Sequence, residues 1–257
     1  MNLVIMFKNQ RDFRGDNVTD LKMLKISIKQ WNRFYKPRIS KTYISGSYNQ
    51  FEINEILNYL GKNFIEKYNI TILNVGSIPP EFNTHKTNRA NYQLIKTWEY
   101  LQEPFILGTN DIFPIKLIDD NYLNKEYRIR HKDYTKITPR NWYEQHWINT
   151  IKYFKEKYGF ENKEIYEGHN AYVITKEFMD FYLSDPNLWF DKDKDMVLAL
   201  WLKMNGKDIL SKEEFCKETF FANKLQITKK DLKRLKMINV TLPNHPESKK
   251  ILKKVVK

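Results

Sequence analysis

The stretch Phe105-Ile106-Leu107-Gly108-Thr109-Asn110-Asp111-Ile112-Phe113-Pro114 decides how the rest of the chain is read. Residues 105–108 form an apolar run of strand length. Glu103-Pro104 breaks the chain before it and the polar Thr109-Asn110-Asp111 follows it. Just upstream, Tyr92, Ile95, Trp98 and Leu101 recur at helical spacing and predict a helix over 88–101. Further back, residues 70–75 read as a strand closed by Gly76 and Pro79-Pro80. A helix with Ile53, Ile56, Leu57, Leu60, Phe64 and Tyr68 on one face precedes it. A strand at 42–45 comes before that, then a helix with Leu21, Leu24, Ile28 and Trp31 inward. Asn17 or Thr19 can cap this helix and Lys36-Pro37 ends it. Residues 3–7 supply a first apolar strand. The β-α-β-α-β-α-β order predicts an α/β fold with a mainly parallel sheet, right-handed crossovers and flanking helices. Ligands of such sheets bind beyond the carboxyl ends of the strands, which makes Asn110 and Asp111 the first candidate site residues.

Downstream the pattern changes. Residues 127–140 are basic and read as irregular, with Arg128, Arg130, His131, Lys132, Lys136 and Arg140 interleaved with Tyr134 and followed by Trp142 and Tyr143. A helix then carries Trp147, Ile151, Phe154 and Tyr158 and stops at Gly159. A short strand is read at 171–174. Thr175 caps a helix burying Phe178, Phe181 and Tyr182, and Asp185-Pro186 closes it. Val197, Leu198, Trp201 and Met204 define another, ended by Gly206. Ser211-Lys212-Glu213-Glu214 and Thr228-Lys229-Lys230-Asp231 are capping-box patterns, and 249–257 is a basic tail. No repeat or linker interrupts the chain, so one domain with a helical C-terminal part is expected.

Composition narrows the function classes. A chain of 257 residues can bury a substantial core, and 41% hydrophobic with 15% aromatic residues is not the composition of a disordered chain. The single cysteine, Cys216, excludes an intramolecular disulfide and a cysteine-rich metal site. No apolar run approaches the roughly 20 residues of a membrane helix, and the first residues are too few for a signal peptide, so a cytoplasmic location is expected. The net charge of +13 suits an anionic partner through phosphate neutralisation; a solvated lysine surface explains it equally well.

Glycine-loop nucleotide motifs and H-E-x-x-H are absent. Asn110-Asp111 therefore stands out. An aspartate at the sheet's carboxyl edge can hold a divalent metal that bridges a diphosphate, with Asp119-Asp120 as a nearby source of a second carboxylate. The same dipeptide is also ordinary turn chemistry.

Four stretches, in order, resemble a known group. They are Arg14-Gly15-Asp16-Asn17 with Leu21, Leu24 and Ile28; Phe82-Asn83 through to Phe113; Lys157-Tyr158-Gly159, then Gly168-His169-Asn170-Ala171-Tyr172-Val173-Ile174 and Asp195; and Ile238-Asn239-Val240 followed by His245-Pro246-Glu247. Together they are similar to the GT-A-like nucleotide-sugar transferases, nearest to the Stealth family of sugar-phosphate transferases. The chain departs from that family at Ile112, where a second aspartate is expected, and in lacking an arginine between Leu188 and Lys194.

The resemblance implies a metal-dependent glycosyltransferase using a nucleotide-sugar such as a UDP-sugar, with residues 1–125 as the donor half and 126–257 as the acceptor and catalytic half. Implied donor contacts are Arg14, Asp16, Asn17, Lys86, Arg89, Asn110 and Asp111. Asp111 and His245 would hold Mn²⁺ or Mg²⁺. Asp195 would be the general base on the acceptor hydroxyl, and His169, the second catalytic candidate, would bind a phosphate or orient the acceptor. Arg128, Arg130, Lys132, Lys136, Arg140, Tyr134 and Trp142 would grip an anionic acceptor such as hydroxymethylated viral DNA or an envelope polymer. Sugar-1-phosphate transfer, which the resemblance to the Stealth family itself suggests, and non-catalytic nucleic-acid binding are the alternatives. Each residue also has a plain structural reading: His169 as a packing histidine, His245 as a loop residue between Pro243 and Pro246, Asp193 and Asp195 as acids favoured at a helix start, and Lys86, Arg89 and Arg14 as solvated cations.

Overall fold

Leu3, Val4 and Ile5 are fully shielded from solvent, as are Ile44, Phe105 and Ile106, and these residues set the plane around which the molecule is built. Strands buried on both faces read as unbroken apolar runs, and parallel sheets bury both faces. A computed structural model describes residues 1–7, 17–123, 127–133, 142–168, 171–207, 219–221, 233–240 and 246–255. Its central sheet has the order β3-β2-β1-β4-β8, from β1 (Asn2–Met6), β2 (Thr42–Gly46), β3 (Ile70–Asn74), β4 (Phe105–Thr109) and β8 (Tyr172–Ile174). The first four run parallel and β8 pairs antiparallel with β4. Met6 lies level with Ser45 on one side and Thr109 on the other, so β1, β2 and β4 end together at one carboxyl edge.

Alternation along the strands divides the core. Leu3, Ile5, Ile106 and Val173 face α1 (Asn17–Phe34), whose Leu24, Ile28 and Trp31 are fully buried. Val4, Leu107, Tyr172 and Ile174 face the other layer. That layer holds α4 (Lys86–Leu101), α6 (Trp142–Tyr158), α7 (Lys176–Ser184) and α8 (Lys194–Met204). Each such aliphatic side chain contributes roughly 1.5–3 kcal/mol by leaving water.

The expected helix through Ile53 and Tyr68 is two helices, α2 (Gln50–Leu60) and α3 (Lys62–Lys67). Gly61 divides them at φ 78°, a conformation that disfavours other residues. Leu57 lies 37% exposed rather than inward. The basic stretch also departs from expectation. Residues 127–133 are not irregular but form β6 (Tyr127–Asp133), paired antiparallel with β7 (Glu164–Gly168). Nothing local announces this pairing, because its partner lies beyond α6. β7 in turn lies against α8. Behind the β4 turn, β5 (Ile112–Pro114) joins β10 (Met237–Asn239) and β9 (Thr219–Phe221) in a small second sheet. The one-turn α5 (Asp120–Leu123) and the C-terminal α9 (Pro246–Val255) complete the chain. Among the described residues no helix is long and apolar enough to cross a membrane.

Candidate functional site

β4 ends in a turn that the α1 helix fixes from below. Ser27 donates its hydroxyl to the carbonyl of Thr109 at 3.3 Å, and the indole of Trp31 donates to the carbonyl of Ile112 at 3.2 Å. The turn presents Asp111, 6% exposed, whose Oδ1 accepts the Thr109 hydroxyl. Ile112, at the position of the missing second aspartate, is wholly in the core. Asp119 and Asp120 do not supply a replacement. Asp119 accepts the backbone N–H of Tyr122 at the start of α5, and Asp120 accepts the hydroxyl of Tyr35, so both carboxylates hold local structure. The backbone N–H of Val240 donates to the carbonyl of Asp111 at 2.7 Å, which ties the residue after β10 to this turn. Oxygen donors of this kind suit a hard divalent cation that keeps several outer oxygens.

A second group gathers at the same edge. Tyr172, level with Leu107 of β4, gives its hydroxyl to Asp195 Oδ1. Lys194 Nζ lies 2.6 Å from that oxygen and 3.2 Å from the tyrosine oxygen. Both side chains of the ion pair are nearly buried, at 12% and 10% exposed. Asp195 Oδ2 makes no hydrogen bond among the described residues. Asp193 caps α8, accepting the N–H groups of Asp195 and Met196 at 2.9 and 3.2 Å. Burial, with the neighbouring Asp195 charge, pushes the Asp193 carboxyl up to about 6 against the pull of Lys194 and the two N–H groups. The Tyr182 hydroxyl is driven well above its ordinary range by burial, then by the charges of Asp193 and Asp195.

The first turns of α4 flank this group. Arg89 is half-buried and its Nε has no hydrogen-bond acceptor among the described residues. Gln93 donates to the carbonyl of Ser45, so the middle of α4 overlies the carboxyl end of β2. Asn88 and Asn91, one helical turn apart, clamp the loop before α8. Asn88 Oδ1 accepts the N–H of Asp191 at 3.1 Å, and Asn91 Nδ2 donates to the carbonyls of Trp189 and Lys192 at 2.8 and 3.1 Å. His85, His146 and Asp191 meet here, with ligand atoms within 4.8 Å of one another. Sequence reading misses this trio, because its members come from three distant parts of the chain with no motif linking them.

Of the other expected residues, Asn17 and Lys86 are the first residues of α1 and α4, Arg128, Arg130 and Lys132 lie on β6, and Trp142 opens α6. Arg14, Asp16, Tyr134, Lys136, Arg140, His169 and His245 lie outside the described residues. Trp98 and Trp147 are buried, as expected of core residues, while Trp201 is only partly so.

No protein-family model matches the chain, and no curated protein is detectably similar to it. Among solved structures, a galactosyltransferase, LgtC, in complex with donor and acceptor sugar analogues, aligns with a TM-score of 0.50 at 10% identity. The alignment covers 97% of this chain and 91% of that one. The likeness is one of architecture: the chain has a GT-A-like α/β fold, and the comparison does not single out the Stealth family.

Proposed function

We propose that the protein is a glycosyltransferase that moves a sugar from a nucleotide-sugar, a UDP-sugar first among candidates, to a hydroxyl of an anionic acceptor. One observation carries this reading: the turn that follows β4 holds Asp111, while Tyr172 of the neighbouring β8 meets Lys194 and Asp195 of α8 at the same sheet edge. The solved relative in fold binds donor and acceptor sugar analogues, which is the pairing such an edge suits. Residues 1–125 would then serve the donor and 126–257 the acceptor.

Asp111 would hold Mn²⁺ or Mg²⁺ with His245 as a further ligand, and Asn110 would contact the donor. When bound, that ion offsets charge on the departing diphosphate. Arg89 would receive a phosphate oxygen, a role supported by its buried Nε, which lacks an acceptor among the described residues. Asp195 would accept the acceptor's hydroxyl proton at Oδ2, while Tyr172 and Lys194 fix Oδ1. A buried ion pair adds little net stability after desolvation, so stability alone is a weak reason for Lys194–Asp195. β6, with Arg128, Arg130 and Lys132 at alternate positions, would border the acceptor, since its partner β7 packs on α8. DNA with a hydroxymethylated base fits that charge.

The test is product formation from a panel of nucleotide-sugars and acceptors. Asp195→Asn should lower turnover by about 10²-fold or more with donor affinity retained. Undiminished turnover, or loss of donor binding instead, would remove Asp195 from its role.

A further inference from the structure

A histidine at a helix N-cap that does not cap the helix calls for another role. Ser, Thr, Asp and Asn are the residues that satisfy an N-terminal turn. His85 occupies that position at the start of α4 and its side chain makes no capping hydrogen bond. Its ring instead stands edge-on to His146, with centroids 5.2 Å apart. His146 projects from α6 and is only 4% exposed, an uncommon setting for a polar ring between Gln145 and Trp147.

The third member is held from both sides. Asp191 sits at φ 51°, in the left-handed region that costs a residue with a side chain, although aspartate tolerates it better than most. Asn88 and Asn91 clamp the backbone before and after it. Phe190 packs on Phe82 at 4.5 Å between ring centroids, and the indole of Trp189 donates to the Tyr182 carbonyl at 2.9 Å. The Asp191 carboxylate is exposed and makes no hydrogen bond among the described residues. A costly backbone conformation, firmly secured, thus presents one carboxylate toward two imidazoles.

We propose that His85, His146 and Asp191 form a binding site for a divalent first-row transition-metal ion, with Zn²⁺ as its representative. The ligand atoms lie within 4.8 Å of one another. A point equidistant from three atoms that far apart is about 2.8 Å from each, so each ligand needs to close by less than about 1 Å to reach zinc–ligand distances. Two imidazoles and one carboxylate are borderline donors suited to such an ion rather than to Ca²⁺ or Mg²⁺. The site shares no residue with the oxygen-donor turn at Asp111. It would join α4, α6 and the loop leading into α8, and three protein ligands leave a coordination position for a water or an anionic oxygen. The positive end of α4 opposes a bare cation only weakly, and the Asp191 carboxylate offsets it. The proposal stands whether or not the protein transfers sugars.

The full-length protein, stripped of metal with a chelator, would be titrated with Zn²⁺ by calorimetry and with Co²⁺ by visible absorption. Wild type should take up Zn²⁺ with micromolar or tighter affinity and show Co²⁺ bands typical of nitrogen and oxygen ligation. His85→Ala and Asp191→Asn, whose positions are not fully buried, should each weaken uptake by at least about tenfold while circular dichroism stays unchanged. Zn²⁺ should also raise the melting temperature of wild type and not of these variants. Asp111→Asn should leave this binding event intact. Absence of Zn²⁺ uptake by wild type, or uptake that persists in both His85→Ala and Asp191→Asn, would overturn the proposal.

Discussion

Asp185 shows how much one carboxylate can organise in this chain. It is 8% exposed, and it accepts the hydroxyls of Tyr153 and Tyr158 at 2.5 and 2.7 Å as well as the backbone and side-chain amides of Asn187. Burial opposes its ionisation, but the hydrogen bonds from Tyr153, Tyr158 and Asn187 more than offset burial and hold its carboxyl below the ordinary range. Its tyrosine partner Tyr153 is pushed up to about 12, by burial first and then by the carboxylate. The folded protein therefore binds the Asp185 proton less tightly than the unfolded chain. The stabilisation is complete above the unfolded value of about 3.9 and is lost as pH falls through the lower folded value. Urea denaturation should show a constant stability gap between wild type and Asp185→Asn from about pH 7 to 5, narrowing below about pH 4. A gap independent of pH would contradict the assignment. In the sequence Asp185-Pro186 is legible only as a helix stop; its two tyrosine partners come from α6, which no local pattern links to it. Asp111 is legible because it follows an apolar strand directly, and Asp195 because it opens a helix after an acidic run. His85, His146 and Asp191 are not, since tertiary packing alone assembles them.

At the scale of elements, the parallel strands are legible because burial on both faces leaves continuous apolar runs such as Phe105-Ile106-Leu107. Helix limits are less so: one glycine, Gly61 at φ 78°, divides an apolar periodicity that continues across it. Gly46 marks a different constraint. A Cβ there would fall 2.6 Å from the carbonyl of Phe7 and 2.3 Å from the Tyr48 ring, so the close approach at the end of β2 excludes any side chain. β6 escapes recognition because its alternating Arg-Ile-Arg pattern gains meaning only beside β7. Its basic residues support a specific expectation. If the acceptor is duplex DNA, replacing Arg128, Arg130 and Lys132 with alanine should weaken binding to all sequences alike. It should also lower the slope of log affinity against log salt by about 0.9 for each phosphate that is no longer neutralised. Gel-shift titrations across salt measure this directly. Absence of wild-type binding at low salt would leave a non-nucleic-acid acceptor.

Across the whole molecule, the strand ends at Met6, Ser45 and Thr109 align, and the second layer of helices brings Asp195, Arg89 and the His85–His146–Asp191 trio to that side of the sheet. The mainly parallel α/β architecture follows from strand order and burial, and the solved galactosyltransferase with donor and acceptor sugar analogues aligns with it across 97% of this chain. The proposed chemistry rests on the carboxyl edge of β4. Calorimetric titration of wild type and Asp111→Asn with UDP-sugars and other nucleotide-sugars, with and without Mn²⁺, tests it most directly. Wild type should bind at least one nucleotide-sugar in a Mn²⁺-dependent manner, and Asp111→Asn should lose that binding while melting at a similar temperature. Failure of wild type to bind any nucleotide-sugar, or unchanged affinity in Asp111→Asn, would contradict the donor site at Asp111.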